Sequence, residues 1–159
     1  MTARDVFHIR LKEMELQAER IMDPSLRTRP IAIISSPQPN GTILSLSPEA
    51  EENGLFHGMK VSVIRKMSHG VQLLPYNRSL YTRLNRYVYQ VVSMFTPTVE
   101  PDGFDGFYLD MKGMRAIRGD MQNTGMSIVQ KIREQTNISG MVGISVNKLV
   151  SRIVTSVVP

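Results

Sequence analysis

Three aspartates are grouped around one short apolar stretch, residues 104–110, in the second half of the chain. Asp102 lies in the Pro-Asp-Gly turn before the stretch, Asp105 lies near its start and Asp110 lies at its end. Because side chains alternate along a strand, Asp105 and Asp110 would lie on opposite faces. Burying an unpaired carboxylate costs on the order of several kcal/mol. We therefore expect Asp105 to face a cation, a backbone donor or open water.

Composition bounds the fold and excludes several kinds of site. The 159 residues are 42% hydrophobic and 21% charged, which suits one globular domain with a core and a small subdomain. The absence of cysteine excludes disulfides and zinc–thiolate sites. His8, His57 and His69 are too widely spaced for a typical metal site. No segment is long and apolar enough to cross a bilayer and the N-terminus lacks a signal-peptide core, so we expect a cytoplasmic protein.

The hydrophobic pattern predicts alternating strands and helices. The predicted elements are a strand at 6–11, a helix at 13–22, a hairpin at 31–46, short helices at 48–53 and 59–67, a strand at 71–74, a helix at 79–95, strands at 98–100 and 104–110, a helix at 119–136, a strand at 140–145 and a helix at 147–158. This order predicts an α+β fold of the ferredoxin-like, split βαβ type, with residues 24–77 as a compact insert. The chain stops inside a helical stretch, so we expect it to be part of a longer protein.

Four stretches resemble the Y-family DNA polymerases of the UmuC/DinB, or ImpB/MucB/SamB, type. They are residues 7–9 with a following helix that carries Glu19, the run 47–59, the stretch 101–110, and residues 142–153. The last is the most specific, because Gly-Ile-Ser-x-Asn-Lys-Leu leading into a basic helix is rare by chance. The resemblance implies a palm made of residues 1–23 and 78–159 and a fingers-like insert at 24–77. The thumb and little finger of the family would be absent from this chain.

The resemblance also shows which residues of the family are replaced. Y-family polymerases hold two Mg²⁺ ions with carboxylates, which neutralise charge on the phosphates. By position, the first-strand aspartate of the family falls at Arg10, and its Asp-Glu pair falls at Asp105 and Gly106. A second contact on the first strand falls near Lys12, which is again positive. One carboxylate of three remains, and a divalent ion beside Arg10 would be repelled, so we predict no metal and no cofactor.

The positions that would hold a nucleotide are altered as well. The aromatic residue that screens the sugar falls at Glu15, or at Met14 if the register differs by one residue. The tyrosine and arginine that hold the triphosphate fall at Pro48 and Glu51, on an acidic helix that would repel it. The sequence therefore predicts that the nucleotide pocket of the family is lost.

Four basic residues remain as candidates for weak phosphate contacts. Lys148 and Arg152 keep the charge of the family's last helix, and Arg83 and Arg86 lie on the polar face of the helix at 79–95. A solvated basic face explains Arg83 and Arg86 more simply than a phosphate contact does, and a surface lysine at a helix start explains Lys148 equally simply. The formal charge of +5 and the pI of about 9.7 permit nucleic-acid binding without requiring it. We expect weak, salt-sensitive binding of damaged DNA by this part of the protein.

This pattern is similar to the ImuB-type members of the family, which lack the catalytic carboxylates and act as adaptors in a mutagenic repair complex. It predicts a pseudoenzyme of DNA repair, translesion synthesis and the SOS response in the bacterial cytoplasm, associated with the nucleoid, which binds DNA or other repair or replication proteins as a scaffold. We expect Arg10 to pair with Asp105, because a guanidinium can replace a metal ion as the counter-charge of a carboxylate.

Two alternatives remain open from the residues alone. The first is an active, Mg²⁺-dependent DNA-directed nucleotidyltransferase whose rearranged site combines Asp105 with Asp102 or Asp110. The second is a ferredoxin-like module that stacks RNA bases on sheet aromatics, for which Phe104, Phe107 and Tyr108 are the candidates.

Overall fold

The computed structural model describes residues 5–67 and 69–145, and the chain divides into two compact units. Unit 1 takes in residues 1–14 and 82–159, and unit 2 takes in residues 15–81. The sequence predicts a fingers-like insert at 24–77, and this assignment stays a prediction. The boundaries of the two compact units, at 14/15 and 81/82, both fall inside helices. The composition of the sequence does not change at either position.

The elements of the structure are listed here in chain order. They are β1 (Val6–Arg10), α1 (Met14–Met22), β2 (Ile31–Ile34), β3 (Ile43–Leu46), α2 (Pro48–Glu52), α3 (Val61–Ile64), β4 (Gln72–Pro75), α4 (Arg78–Val92), β5 (Val99–Pro101), β6 (Gly106–Asp110), α5 (Arg115–Arg118), α6 (Met121–Thr136) and β7 (Met141–Ser145). The sequence missed the single-turn helix α5 and a 3₁₀ turn at Pro24–Leu26. The helix predicted at 147–158 lies outside the described residues.

Unit 1 is built on a four-stranded sheet in the order β5-β6-β1-β7, with every neighbouring pair antiparallel. One face of this sheet is apolar and buried, because Phe7 and Ile9 of β1 and Phe107 and Leu109 of β6 have no exposed surface. Helix α6 approaches this face closely. A Cβ at Gly125 would lie 3.3 Å from side-chain carbons of Val142 and Ile144 on β7.

The opposite face of the same sheet carries the polar residues. In β1 these are His8 and Arg10, which alternate with the buried Phe7 and Ile9. The register of β1 and β6 places Tyr108 opposite His8 and Gly106 opposite Arg10. Candidate site residues of β1 and β6 are therefore collected on one face of unit 1.

Strand β6 begins two residues later than the sequence predicted. The backbone N–H of Asp102 donates to the carbonyl of Gly106 at 2.9 Å, so residues 102–105 form a turn rather than the start of the strand. Gly103 has a φ of +71°, which glycine adopts without strain. Asp105 is therefore an exposed turn residue. Of the three surroundings expected for its carboxylate, a cation, a backbone donor or open water, the structure shows open water.

Unit 2 contains a mixed three-stranded sheet in the order β3-β2-β4, with β2 and β3 antiparallel and β2 and β4 parallel. The predicted hairpin at 31–46 is confirmed by the antiparallel pair. Its helix α2 starts as the sequence predicted, because the Ser47 hydroxyl accepts a hydrogen bond from the N–H of Ala50 at 3.3 Å. The buried side chains of this unit form their own cluster: Ala32, Ile34, Ile43, Leu46, Ala50, Leu55, Met59, Val61, Ile64 and Val71.

Within the ranges 5–67 and 69–145, none of the helices has the length and apolarity needed to cross a bilayer. The α+β content is as predicted, with both parallel and antiparallel strand pairs.

Candidate functional site

The candidate site lies where β1 ends and β6 begins, on the polar face of the unit 1 sheet. Arg10 is the last residue of β1 and is half-buried, and its direct cross-strand partner is Gly106, the first residue of β6. Asp105 immediately precedes Gly106, and its carbonyl accepts from the N–H of Leu11 at 2.6 Å. The structure thus brings the three positions singled out from the sequence, 10, 105 and 106, next to one another.

The predicted ion pair between Arg10 and Asp105 is wrong. Within residues 5–67 and 69–145, the ion pairs closer than 4.0 Å are His8–Asp102, Arg20–Glu49 and Arg115–Asp5. Asp105 is exposed, and its Oδ1 lies 3.3 Å from the place where a Cβ at Gly103 would be. The carboxylate therefore lies over its own turn. Water hydrates its charge there, so it does not need a cation as a partner.

The sequence missed the side-chain contact at the centre of this site, between His8 and Asp102. Nε2 of His8 lies 3.1 Å from Oδ2 of Asp102, and their side chains are 4% and 32% exposed. Because an ionised carboxylate only accepts hydrogen bonds, this contact requires Nε2 to carry the proton. The His8 ring also packs on Tyr108, with centroids 4.6 Å apart and planes inclined by 33°.

A signal for this contact was present in the sequence but depended on the register. Alternation along β1 places His8 on the same face as Arg10, and the Pro-Asp-Gly turn precedes β6. Only the pairing of β1 with β6, residue by residue, shows that the turn brings Asp102 to His8. Spacing along the chain does not reveal a contact between residues 94 positions apart.

Gly106 occupies a position with little space for a side chain. A Cβ there would lie 3.1 Å from the carbonyl oxygen of Asp102, 3.2 Å from Nε2 of His8 and 3.3 Å from the carbonyl oxygen of Ile9. These separations are tighter than ordinary contacts between carbon and nitrogen or oxygen. The structure thus holds residue 106 in a narrow space bordered by the turn, β1 and the histidine ring.

The residues at this site do not fit the pair of Mg²⁺ ions that polymerases use. The three positions offer one exposed carboxylate, one guanidinium and one glycine, and hard divalent cations need several oxygen ligands. In the part of the chain that the structure describes, no group of three or more His, Cys, Asp or Glu side chains is placed to hold a metal ion.

The structure keeps apart one of the two carboxylate pairs of the alternative enzyme. Asp110 is at the far end of β6, opposite Val6, and five residues of strand separate it from Asp105 by about 16 Å. The carboxylate of Asp102 is in contact with His8. A combination of Asp105 with Asp110 therefore lacks the geometry for one shared ion, and the combination of Asp105 with Asp102 stays a prediction.

The aromatic residues proposed for base stacking are engaged within the protein. Phe107 has no exposed surface, and Tyr108 packs on His8. The carbonyl of Phe104, whose side chain is half-buried, accepts from Nδ2 of Asn85 at 2.7 Å. These three residues do not form an open stacking platform.

The remaining predicted contacts are distributed over the chain. Arg83 and Arg86 are both exposed on α4. They lie on either side of Asn85, which contacts the turn before β6. Lys148 and Arg152 lie outside the described residues. Of the two positions for the sugar-screening residue, Met14 is fully buried and Glu15 is half-buried.

In unit 2, the positions that would hold a triphosphate are acidic and exposed. Pro48 and Glu51 are exposed on α2, and Glu49 lies 3.4 Å from Nη2 of Arg20. The pKa of Glu49 is lowered chiefly by a hydrogen bond from its own backbone N–H. Burial, the next largest effect, opposes this, and Ser47 and Arg20 lower the pKa further. The negative charge on this helix is therefore stabilised by the protein itself.

Comparison with known proteins agrees with this fold. The model of the impB/mucB/samB family matches residues 10–156. The chain is 29% identical over 153 residues to DNA polymerase IV of Halorhodospira halophila, covering 96% of this chain and 43% of the relative. It is 26% identical over 155 residues to DNA polymerase IV of Dehalococcoides mccartyi, covering 98% of this chain and 40% of the relative. The chain thus spans less than half the length of these relatives.

Solved structures match nearly the same part of the chain. The post-insertion binary complex of Dbh DNA polymerase superposes with a TM-score of 0.83 at 20% identity, over 96% of this chain and 45% of that one. DinB from Sulfolobus solfataricus superposes with a TM-score of 0.81 at 20% identity, with the same coverage. At this identity the structures establish the fold, and the family model covers most of the sequence. The chain therefore belongs to the impB/mucB/samB family of Y-family DNA polymerases.

Proposed function

We propose that this chain is the palm and fingers part of a non-catalytic Y-family member, which serves DNA repair and translesion synthesis as a DNA- or partner-binding scaffold. The observation that carries the proposal is the cross-strand pair of Arg10 and Gly106. At this pair the family would place two carboxylates, and the chain instead has a fixed cation opposite a residue without a side chain. In this interpretation, unit 1 is the palm, with a split βαβ connection, and most of unit 2 is the fingers.

The charge at the site supports this assignment. A guanidinium keeps its positive charge at any pH at which the protein is folded. A divalent ion within about 4 Å of it would be repelled by several kcal/mol at the effective dielectric constant of a partly buried site. The single carboxylate of Asp105 cannot offset this repulsion, because it is exposed to water.

The scaffold role rests on the charge that remains. Arg83 and Arg86 are exposed on α4, the helix whose Asn85 contacts the turn of the site, and we propose that they contact the DNA backbone together with Lys148 and Arg152. Phosphate contacts of this kind fix position without reading sequence. We therefore propose weak binding of DNA that does not require a metal ion.

Calorimetry tests the proposal directly. Mn²⁺ is titrated into the wild-type chain with and without a deoxynucleoside triphosphate, and DNA polymerase IV of Halorhodospira halophila serves as the positive control. We expect no saturable binding of metal and nucleotide to this chain. Joint binding with micromolar affinity would overturn the proposal and favour an active nucleotidyltransferase.

A further inference from the structure

We propose that the contact between His8 and Asp102 is a latch, which holds the turn at residues 102–105 over the position of residue 106 and keeps that position closed to a side chain. The identification of position 106 with a lost metal ligand rests on the proposed function. The closure itself rests on the geometry of unit 1 alone. The site is thus inactivated in two separate ways, by the charge of Arg10 and by the shape of the turn.

The turn is fastened at four points. The N–H of Asp102 donates to the carbonyl of Gly106 at 2.9 Å, and the N–H of Leu11 donates to the carbonyl of Asp105 at 2.6 Å. The third point is the latch, at 3.1 Å. The fourth point is Nδ2 of Asn85, which donates to the carbonyl of Phe104 at 2.7 Å. The two backbone bonds fix the ends of the turn, and of the two side-chain contacts the latch is the one that lies next to position 106.

Burial makes the latch rigid. The side chain of His8 is 4% exposed and packs on Tyr108, so the ring cannot move away from residue 106 without disturbing the sheet. Hydrogen bonds to charged groups contribute more than neutral ones, and they contribute most where water is excluded. Asp102 is therefore held against a fixed partner, and its backbone is held with it.

Two of the three atoms that crowd position 106 belong to the latch residues. They are the carbonyl oxygen of Asp102, 3.1 Å from the place of a Cβ, and Nε2 of His8, 3.2 Å from it. The third atom, the carbonyl oxygen of Ile9, belongs to β1. Releasing the Asp102 side chain would allow its carbonyl oxygen, the nearest of the three atoms, to move by the few tenths of an ångström that a Cβ requires. The atoms of His8 and Ile9 would stay in place with β1, which lies between β6 and β7.

A double-mutant cycle tests this coupling in the full 159-residue chain. The variants are Gly106→Ala, Asp102→Ala and their combination, and urea unfolding is measured for each. Gly106 is not among the glycines with positive φ, so alanine has no conformational penalty there and would otherwise be neutral or stabilising. We expect Gly106→Ala to raise the unfolding equilibrium constant about tenfold in the wild type and about twofold or less in Asp102→Ala.

Two controls accompany the cycle. Gly70→Ala places a methyl group where nothing lies within 4 Å, so its effect should be the same with and without Asp102→Ala. Asp102→Asn keeps an acceptor for Nε2 of His8 and should preserve most of the coupling. An effect of Gly106→Ala that differs by less than twofold between the two backgrounds would overturn the latch.

Amide hydrogen exchange supplies an independent measurement that does not require a stable Gly106 variant. In Asp102→Ala, the amides of Asp102 and Leu11 should exchange about tenfold faster, since they close the turn. The amides of Phe7 and Ile9 in the centre of β1 should be unchanged. Uniform acceleration of all four amides, or of none, would contradict a local latch.

Metal binding connects the latch with the proposed function. We expect Arg10→Asp/Gly106→Glu to bind Mn²⁺ at least about tenfold more tightly when Asp102→Ala is added, because the glutamate can then enter the site. Equal affinity of the double and triple variants would overturn the latch. Metal and nucleotide binding by the wild type would instead overturn the proposed function, and the unfolding cycle would still decide the latch.

Discussion

Arg10 lies directly opposite Gly106 in the antiparallel pair of β1 and β6, so β6 offers it no side chain at the paired position. On the other side of β1, the paired residue of β7 is the uncharged Met141. The resemblance implies that the family has a glutamate at position 106. A glutamate there would form a cross-strand ion pair with Arg10. Glycine removes that partner, and Asp105 does not replace it. In the part of the chain that the structure describes, Arg10 thus has no carboxylate as an ion-pair partner.

The first prediction concerns the stability of Arg10→Gln. Because Arg10 makes no ion pair within residues 5–67 and 69–145, removing its charge should change the unfolding free energy by less than about 0.5 kcal/mol. Urea unfolding at neutral pH measures the change. A loss above about 2 kcal/mol would show that Arg10 has a buried partner, as our sequence-based prediction assumed.

The second prediction concerns Tyr81 in unit 2. Its side chain is fully buried, and its hydroxyl donates to Oε1 of Glu19 at 2.8 Å. Tyr81→Phe should lower the unfolding free energy by about 1–2 kcal/mol, because Glu19 loses a donor. Tyr76→Phe, at a partly exposed ring that packs edge-on against Tyr81, is the matched control and should have a smaller effect.

The pKa of Tyr81 provides a third prediction. Burial, followed by the hydrogen bond to Glu19, raises the pKa of this phenol well above its ordinary value of 10.0. A group whose pKa is higher in the folded state stabilises the protein below the unfolded pKa and loses that contribution as the pH rises. Spectroscopic titration should show one of the five tyrosines ionising last, together with unfolding, and Tyr81→Phe should remove that step. Ionisation of all five before unfolding would contradict this expectation.

The fourth prediction concerns Glu49 and acid stability. Its pKa is lowered from the ordinary value of 4.5, first by its own backbone N–H and then by Ser47 and Arg20. Its contribution is therefore present above pH 4.5 and is lost as the pH falls through the folded pKa. Glu49→Gln should be less stable than the wild type at pH 7, and the difference should disappear under strongly acidic conditions. Glu52→Gln, at an exposed position on the same helix, controls for the change in net charge. A difference independent of pH would count against this origin.

The fifth prediction concerns DNA. If Arg83 and Arg86 contact phosphates, replacing both with Gln should weaken DNA binding and flatten its dependence on salt, by about one unit of slope for each lost contact. Fluorescence anisotropy with a short duplex in the presence of EDTA measures both quantities. Arg27→Gln/Arg29→Gln, at exposed positions in unit 2, is the control with the same charge change. An identical slope for both double variants would show that only net charge matters.

The parts of the fold that follow from local patterns were predictable. The hairpin at 31–46 and the Ser47 cap are each specified by neighbouring residues, through turn chemistry and the preference of serine for helix starts. The start of β6 was not predictable to the residue. The Asp102 N–H to Gly106 carbonyl bond that moves it depends on the turn geometry at Gly103.

The candidate site was predictable in its positions and not in its contacts. Residues 10, 105 and 106 are adjacent, as the resemblance implied, because the register of β1 and β6 pairs Arg10 with Gly106. The expected pair of Arg10 and Asp105 fails because Asp105 lies in a solvated turn, where a counter-ion brings little energy. The contact of His8 with Asp102 depends on two strands whose pairing is not encoded in either stretch alone.

The pairing of β1 also bears on the order in which the chain folds. Ile9 pairs with Phe107 on one side and with Val142 on the other. Roughly a hundred further residues must therefore be synthesised before β1 can pair with a neighbouring strand. Unit 2, whose buried cluster is drawn from residues 32–71, has its core complete much earlier. Between these two events, the apolar β1 is an unpaired strand of a growing chain, and this is the interval in which aggregation or chaperone binding competes with folding.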